Sequence, residues 1–437
     1  MTTSMFAASR RWSGAAGAFL ALLLSTVTLS LAHPAAAASM LAPVTVHSGE
    51  YTMRAGDFDK RGQAIRTIEA NGSVSVRASP EQILADGGHT GRPALCHNTN
   101  LDGSLKYDGF CWNQADDTSS DWTPQGLTGS HDAQPGGTWN GHYLYIASWH
   151  YAHTGQDNAY ARITIAESTG TSVTYQHVLL VDPYSTSSTS ATFRAVGGAG
   201  DMPHMDVLSG HADGVTWYGN KLFVATGHQI QVYDLRHLWK MSDTGSASVG
   251  VESNGNSSAH YSNWALPMVG AYFTGNAGDA CNASEPCLTS LSLDRSSTPD
   301  ALVTTQIADH GGGPLMRWPL NASTALPDTD TAADTTGTVT ASAVYSVPIW
   351  KVQGAATDGT YYYFSGECPE SAGTTDSDVP YCIHRAAVGA APHVLTHAPP
   401  LTQNLSYAPS SGRLWGLNER ENTTTGKRVV FSLVPSA

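Results

Sequence analysis

The residues best suited to chemistry lie in His211-Ala-Asp-Gly214. An imidazole near its ordinary pKa exchanges a proton at neutral pH, as general base or as general acid. Ala212 and Gly214 leave space around it, and a glycine lets the backbone come close to a ligand. Asp213 is placed either to orient the ring or to cap a turn. His150 stands between Trp149 and Tyr151. That triplet reads as a stacking subsite with Tyr151 as a second proton donor, or as loop packing. Glu419 precedes Arg420, either as a polar group at a site or as half of an exposed ion pair. The catalytic candidates are therefore His211, His150 and Tyr151. The ligand-binding candidates are Gln125, Trp149, His228, Arg295, Arg317, Gln353 and Glu419. Amides, imidazoles, carboxylates and aromatic rings in one set suit a polyhydroxylated, carbohydrate-like ligand. A lyase would also need a cation or amide against the uronate carboxylate, which Arg295, Arg317 or Gln353 could supply.

Other chemistries lack their signatures. The sequence has no G-x-S-x-G elbow, no H-E-x-x-H and no Walker loop. Asp116, Asp117 and Asp121 do not follow EF-hand spacing and read as solvated loop carboxylates. His204 and His211 could share a metal only if the loop between them folds back. No metal and no cofactor is expected.

What must position these residues is a β-architecture. Gly214 to Tyr218, Lys221 to Ala225 and Gln229 to Leu235 are three short strand-like runs in a row. Gly219-Asn220 separates the first two, a two-residue hairpin signal that needs positive φ. Strands joined in this way form a meander, the unit of a propeller blade. Looser versions recur from Trp122, Leu288, Lys351 and Leu401 onward, separated by polar links. The expected fold is all-β, a single β-propeller of five to seven blades; a pair of β-sandwiches is the alternative. In a propeller, the links leading into each innermost strand and the loops joining second to third strands share one face. Gln125, His211, Gln353, His150 and Glu419 all fall in such segments.

Residues 1–38 have the plan of a secretory signal peptide: Arg10-Arg11, an apolar run, then small residues to Ala38. Residues 39–108 form a weakly patterned N-terminal segment, read as the first blade or two, and residues 109–437 form the propeller. The formal charge is −14. Loss of a leader carrying two arginines and no acid leaves −16. With no Lys/Arg cluster, nucleic acid is excluded as a partner, and no other run is apolar and long enough to span a bilayer. Six cysteines fall into close pairs, Cys96/Cys111, Cys281/Cys287 and Cys368/Cys382, which in an exported chain favours three local disulfides.

Trp122-Thr-Pro-Gln-Gly-Leu-Thr, Ser148-Trp-His, His211-Ala-Asp-Gly-Val-Thr-Trp-Tyr-Gly, Val232-Tyr-Asp-Leu, Leu293-Asp-Arg-Ser-Ser-Thr-Pro-Asp-Ala-Leu and Arg317-Trp-Pro-Leu together resemble a family of uncharacterised secreted proteins from actinomycete-type bacteria. The resemblance runs from about Gly109 to Leu433. It implies secretion and a shared propeller-like fold, and it brings no activity; the family pattern has glycine where Asp213 stands. The expectation is a secreted, monomeric propeller that takes a carbohydrate-like small molecule or polysaccharide. It is either a lyase or glycosidase using His211, or a non-catalytic binding scaffold.

Overall fold

The computed structural model describes residues 39–197, 210–276, 278–371, 379–421 and 426–435. Strand pairing resolves into successive antiparallel meanders. The first is Trp122–Gly129, Leu144–Tyr151, Ala161–Ser168 and Val173–Ser185. The second is Gly214–Tyr218, Lys221–Thr226, Gln229–Asp234 and Trp264–Phe273. Ser292–Asp294, Ala301–Thr305, Gly313–Asn321 and Ala343–Val347 make the third. Gly354–Thr357, Tyr362–Glu367, Tyr381–Ala386 and His393–Ala398 make the fourth. The fifth is Thr402–Ala408, Arg413–Asn418 and Val430–Leu433, completed by Tyr107–Phe110 from the opposite end of the chain. The tight turns of the second meander hold Gly219 at φ +58° and Gly227 at +55°, where a side chain would be strained.

Side chains alternate across a strand, so each meander buries both faces. Leu144 and Ile146 turn toward the second meander and meet Val215, Trp217 and Val224. Tyr145, Ala147 and Trp149 turn the other way, onto Phe110, Leu417 and Val430 of the fifth. Phe223 and Ile230 pack on Met316 and Trp318, Leu315 and Val347 on Phe364, and Tyr363 and Ile383 on Leu405 and Phe431. Each meander is thus sealed to the next and the last to the first, which is the closed ring of a β-propeller. Each buried side chain of this size contributes about 1.5–3 kcal/mol, so stability is spread over these interfaces.

The innermost strands crowd the axis. A Cβ on Gly126 would lie 2.7 Å from the backbone nitrogen of Val215, and one on Gly354 would lie 2.7 Å from the Cα of Asn404. Only glycine allows that approach. Asn404 then ties the ring across its centre. Its Nδ2 donates to the Leu291 carbonyl at 2.6 Å and the Leu127 carbonyl at 3.3 Å, and its Oδ1 accepts from Leu291 N at 3.2 Å.

Residues 39–108 form no meander of their own. Ala42–Pro43 edges the third meander, Thr52–Gly56 pairs with Trp264–Phe273, and His89–Thr90 edges the first. Tyr107–Phe110 joins the two ends of the ring. The segment also holds a helix, Phe58–Ala70, which the sequence reading lacked. Its buried Arg61, Ala64, Ile65 and Ile68 follow helical spacing, and Arg61 donates to Asp182 at 2.8 Å. The stretch from Ser242 to Ser262 contains a hairpin of Val249–Val251 with Ser257–Ala259.

The three disulfides Cys96–Cys111, Cys281–Cys287 and Cys368–Cys382 are formed. Asp116 and Asp117 are not solvated. Both are buried, Asp116 on Arg162, Tyr175 and His177, and Asp117 on Arg92, His97 and the backbone of Arg428. Among the described residues no helix is long and apolar enough to cross a membrane. The expected leader, residues 1–38, and His204 lie outside the described residues.

Candidate functional site

A cleft of about 680 Å³ opens at the face where the innermost strands begin. Every meander contributes to it: Gln125 and His150 from the first, His211 and Asp213 from the second, Thr289 and Ile307 from the third, Gln353 from the fourth, Gln403, Glu419 and Arg420 from the fifth. Three of the links leading into innermost strands hold non-glycine residues in the left-handed region, Ala212 at φ +54°, Lys351 at +46° and Leu401 at +52°. Such residues are strained by roughly 1–2 kcal/mol each. Each stands one or two residues from a cleft-lining side chain: His211 and Asp213, Gln353, and Gln403. Ala212 is fixed in that state by packing in the core and by the Ser148 hydroxyl, which donates to its carbonyl at 2.8 Å.

At the centre, the imidazoles of His150 and His211 stack with centroids 4.4 Å apart and planes 18° from parallel. Nδ1 of His211 lies 2.9 Å from the Asp213 carboxylate. Burial works to lower the His211 pKa, but Asp213 outweighs it and, with Glu419 and Asp157, holds it up at about 9. Burial acts to raise Asp213, yet the His211 cation brings it below the ordinary carboxylate value. His150 goes the other way. Burial first, then repulsion from His211, push it down to about 3. At neutral pH the pair is one imidazolium stacked on one neutral ring. The adjacent carboxylate thus favours the protonated form of His211 above the ordinary imidazole value.

Polar groups surround this pair. Gln403 donates to Glu419 at 2.9 Å, and Arg420 pairs with the same carboxylate at 3.0 Å. Gln125 is only 3% exposed, and its Nε2 has no hydrogen-bond partner among the described residues. The Arg420 Nε is buried and likewise unpaired. Two buried donors of cleft-lining residues therefore lack an acceptor among the described residues.

The remaining sequence candidates lie elsewhere, for reasons of strand parity and packing. Trp149 and Tyr151 alternate with His150 and face away from it. Trp149 is fully buried against Trp112, and Arg162 lies over its ring. Tyr151 packs against Trp122 and Tyr160, and burial raises its pKa. His228 is buried beside the Cys281–Cys287 bridge, 3.0 Å from the Asp279 carbonyl. Arg295 is at the opposite end of the ring, bonded to Asp300 and the Asp132 carbonyl, and Arg317 is paired with buried Asp294. The sequence reading missed His153, Thr154 and Asp157, which also line the cleft. They belong to the loop after Tyr151 in His153-Thr-Gly-Gln-Asp-Asn158, whose turn-forming composition was the available signal.

No protein-family model matches the chain. No curated protein does either. Solved structures with similar strand arrangement include a gluconolactonase from Xanthomonas campestris, 11% identical over 78% of this chain and 96% of that one, with TM-score 0.31. The PQQ-bound aldose sugar dehydrogenase of Streptomyces coelicolor is 12% identical over 71% of this chain and 93% of that one, with TM-score 0.27. The Pan2 WD40 domain of Neurospora crassa is 9% identical over 73% and 97%, with TM-score 0.26. At these identities and scores none of them lends a residue or a reaction to this chain.

Proposed function

We propose that this is an extracellular β-propeller that takes a carbohydrate-class ligand in the cleft and acts on it by histidine acid/base chemistry. The observation that carries the reading is the His150–His211 stack, held in two protonation states inside a cleft of amides and ion pairs. A donor and an acceptor of protons side by side are what β-elimination of a uronate polymer requires. As His211 gives up its charge, the repulsion that helps hold His150 down is relieved, and His150 would take the proton α to the carboxylate. His211 would give its proton to the departing glycosidic oxygen, leaving an unsaturated sugar and a new chain end. Gln353 and Arg420, which face the cleft, would meet the carboxylate in place of Arg295 and Arg317. Three local disulfides support an oxidising compartment.

A second reading, capture without turnover, is favoured by His211 itself. A cation fixed by its own carboxylate suits holding an anionic sugar as well as cycling a proton. The test is a panel of uronate and neutral polysaccharides, followed by ultraviolet absorbance for unsaturated ends and by reducing-end assay for hydrolysis. Turnover reduced about 10²- to 10⁴-fold in His211→Ala and in His150→Ala supports the acid/base reading. Saturable binding with no product from any polymer leaves capture. No binding and no product across the panel removes the carbohydrate reading.

A further inference from the structure

A row of rings leads away from the cleft. His153 lines it and stacks on Tyr151 at 5.8 Å. Tyr160 meets Tyr151 edge-on at 5.3 Å and carries His260 stacked on it at 4.1 Å, with His260 also edge-on to Tyr151 at 5.9 Å. Tyr261 follows at 5.3 Å from His260. The row is buried at its base and open at its top: Tyr151 is 9% exposed, whereas Tyr261 is 59% exposed, and His153, which pairs with Asp121 at 3.0 Å, is half exposed.

The backbone under the outer end is strained. His260 and Tyr261 are consecutive and both left-handed, at φ +46° and +63°. Two bulky residues in that region are an outlier that persists only when the surroundings enforce it. Here the enforcement is local. His260 N donates to the Ser248 carbonyl and Tyr261 N to the Ser246 carbonyl, each at 2.9 Å. The hairpin of Val249–Val251 and Ser257–Ala259 thus ends in a conformation that sets two rings beside the first meander. Burial does not account for this, since the outermost ring faces solvent.

We infer that this row is a saccharide-stacking subsite continuous with the cleft, so that the ligand is an extended chain and not a free sugar. The inference rests on the carbohydrate reading of the cleft. Aromatic and imidazole faces accept the C–H face of a pyranose, and a ring contact of this kind is worth about 0.5–1.5 kcal/mol. His153 belongs to both regions and marks where the chain would pass from one to the other.

Titration calorimetry on the full mature chain with galacturonate, xylose and N-acetylglucosamine oligomers, from disaccharide to octasaccharide, tests it. The wild-type affinity should rise with chain length. Tyr261→Ala should lower the ratio of long-chain to short-chain affinity about 3- to 10-fold, and Tyr261→Trp should restore it. Equal effects at all lengths, or none, would overturn the subsite while leaving the cleft reading intact. Failure of every oligomer to bind the wild type would instead overturn the cleft reading, and the subsite with it.

Discussion

Two clusters of histidine and aspartate lie in the first two meanders, and they differ in one respect that matters. Around Asp116, both carboxylate oxygens are answered within the protein, although the buried Arg162 Nε has no hydrogen-bond partner among the described residues. Arg162 donates to Oδ1 at 3.0 Å, the Tyr175 hydroxyl to Oδ2 at 2.6 Å, and His177 Nε2 sits at 3.1 Å while the Thr164 hydroxyl reaches its Nδ1 at 2.7 Å. His89 brings a third ligand atom close enough for a metal site, but the Arg162 guanidinium already occupies the carboxylate. Around Asp213 and His211 the composition is similar, and Gln125 and Arg420 also hold donors with no partner among the described residues, but this cluster opens on a cleft. Residue type does not separate a strut from a site. Room beside the unanswered donors does.

The sharpest way to break this comparison is to neutralise each carboxylate in turn. Asp116→Asn leaves the buried Arg162 without its counter-ion, and breaking a buried pair costs about 3–5 kcal/mol. Chemical denaturation should show a loss of that order, with ligand affinity of the folded protein unchanged. Asp213→Asn should cost clearly less, because its partner reaches solvent. Equal losses would mean that the cleft pair is structural too.

The clusters should also respond to pH on opposite sides of neutrality. His211 is raised to about 9, so the stability its pair contributes is complete below about pH 6.5 and lost as pH climbs through about 9. His177 is lowered to about 4, by burial first and then by Arg162. Its contribution is present above about pH 6.5 and lost as pH falls toward about 4. Asp116 is lowered as well, against its burial, by His177 and Arg162, and adds to the acid limb, as does His150 in the cleft. The alkaline limb is therefore the diagnostic one. A histidine NMR titration should place His211 at about 9 in the wild type and move it downward in Asp213→Asn, with His177 unmoved. A His211 resonance that titrates near pH 6.5 in the wild type would contradict the pairing.

Much of the fold was legible because strand alternation and glycine turns are local signals. The second meander appears within a residue or two of its expected bounds, and Gly219 and Gly227 stand where turns were expected. The cleft was legible for a topological reason: links into innermost strands share a face, so Gln125, His211 and Gln353 converge although 228 residues separate the first from the last. Trp149 and Tyr151 were misplaced through a parity that the sequence did contain, since residues flanking His150 in a strand must face away from it. Tyr107–Phe110 was beyond reach. Its partner lies more than three hundred residues away, and no local pattern encodes a pairing of that length. The opposed pKa shifts were equally hidden, because they depend on which carboxylate stands beside which ring.

The smallest effect expected is also the one that discriminates best. Gln125 is almost wholly buried with its Nε2 unanswered, and an unsatisfied buried donor costs about 1–3 kcal/mol. Were Gln125 a structural residue, Gln125→Ala would destabilise the protein by removing packing. If it is held in readiness for a ligand, the same substitution removes an unfavourable buried donor. Thermal stability without ligand should then stay level or rise slightly. Affinity for the saccharide that binds should fall about 2- to 12-fold, the worth of one hydrogen bond. Opposite signs in the two measurements, from a single substitution, separate a group kept for binding from one kept for folding. A fall in both would assign Gln125 to the ring and leave His150 and His211 with one fewer neighbour held for a ligand.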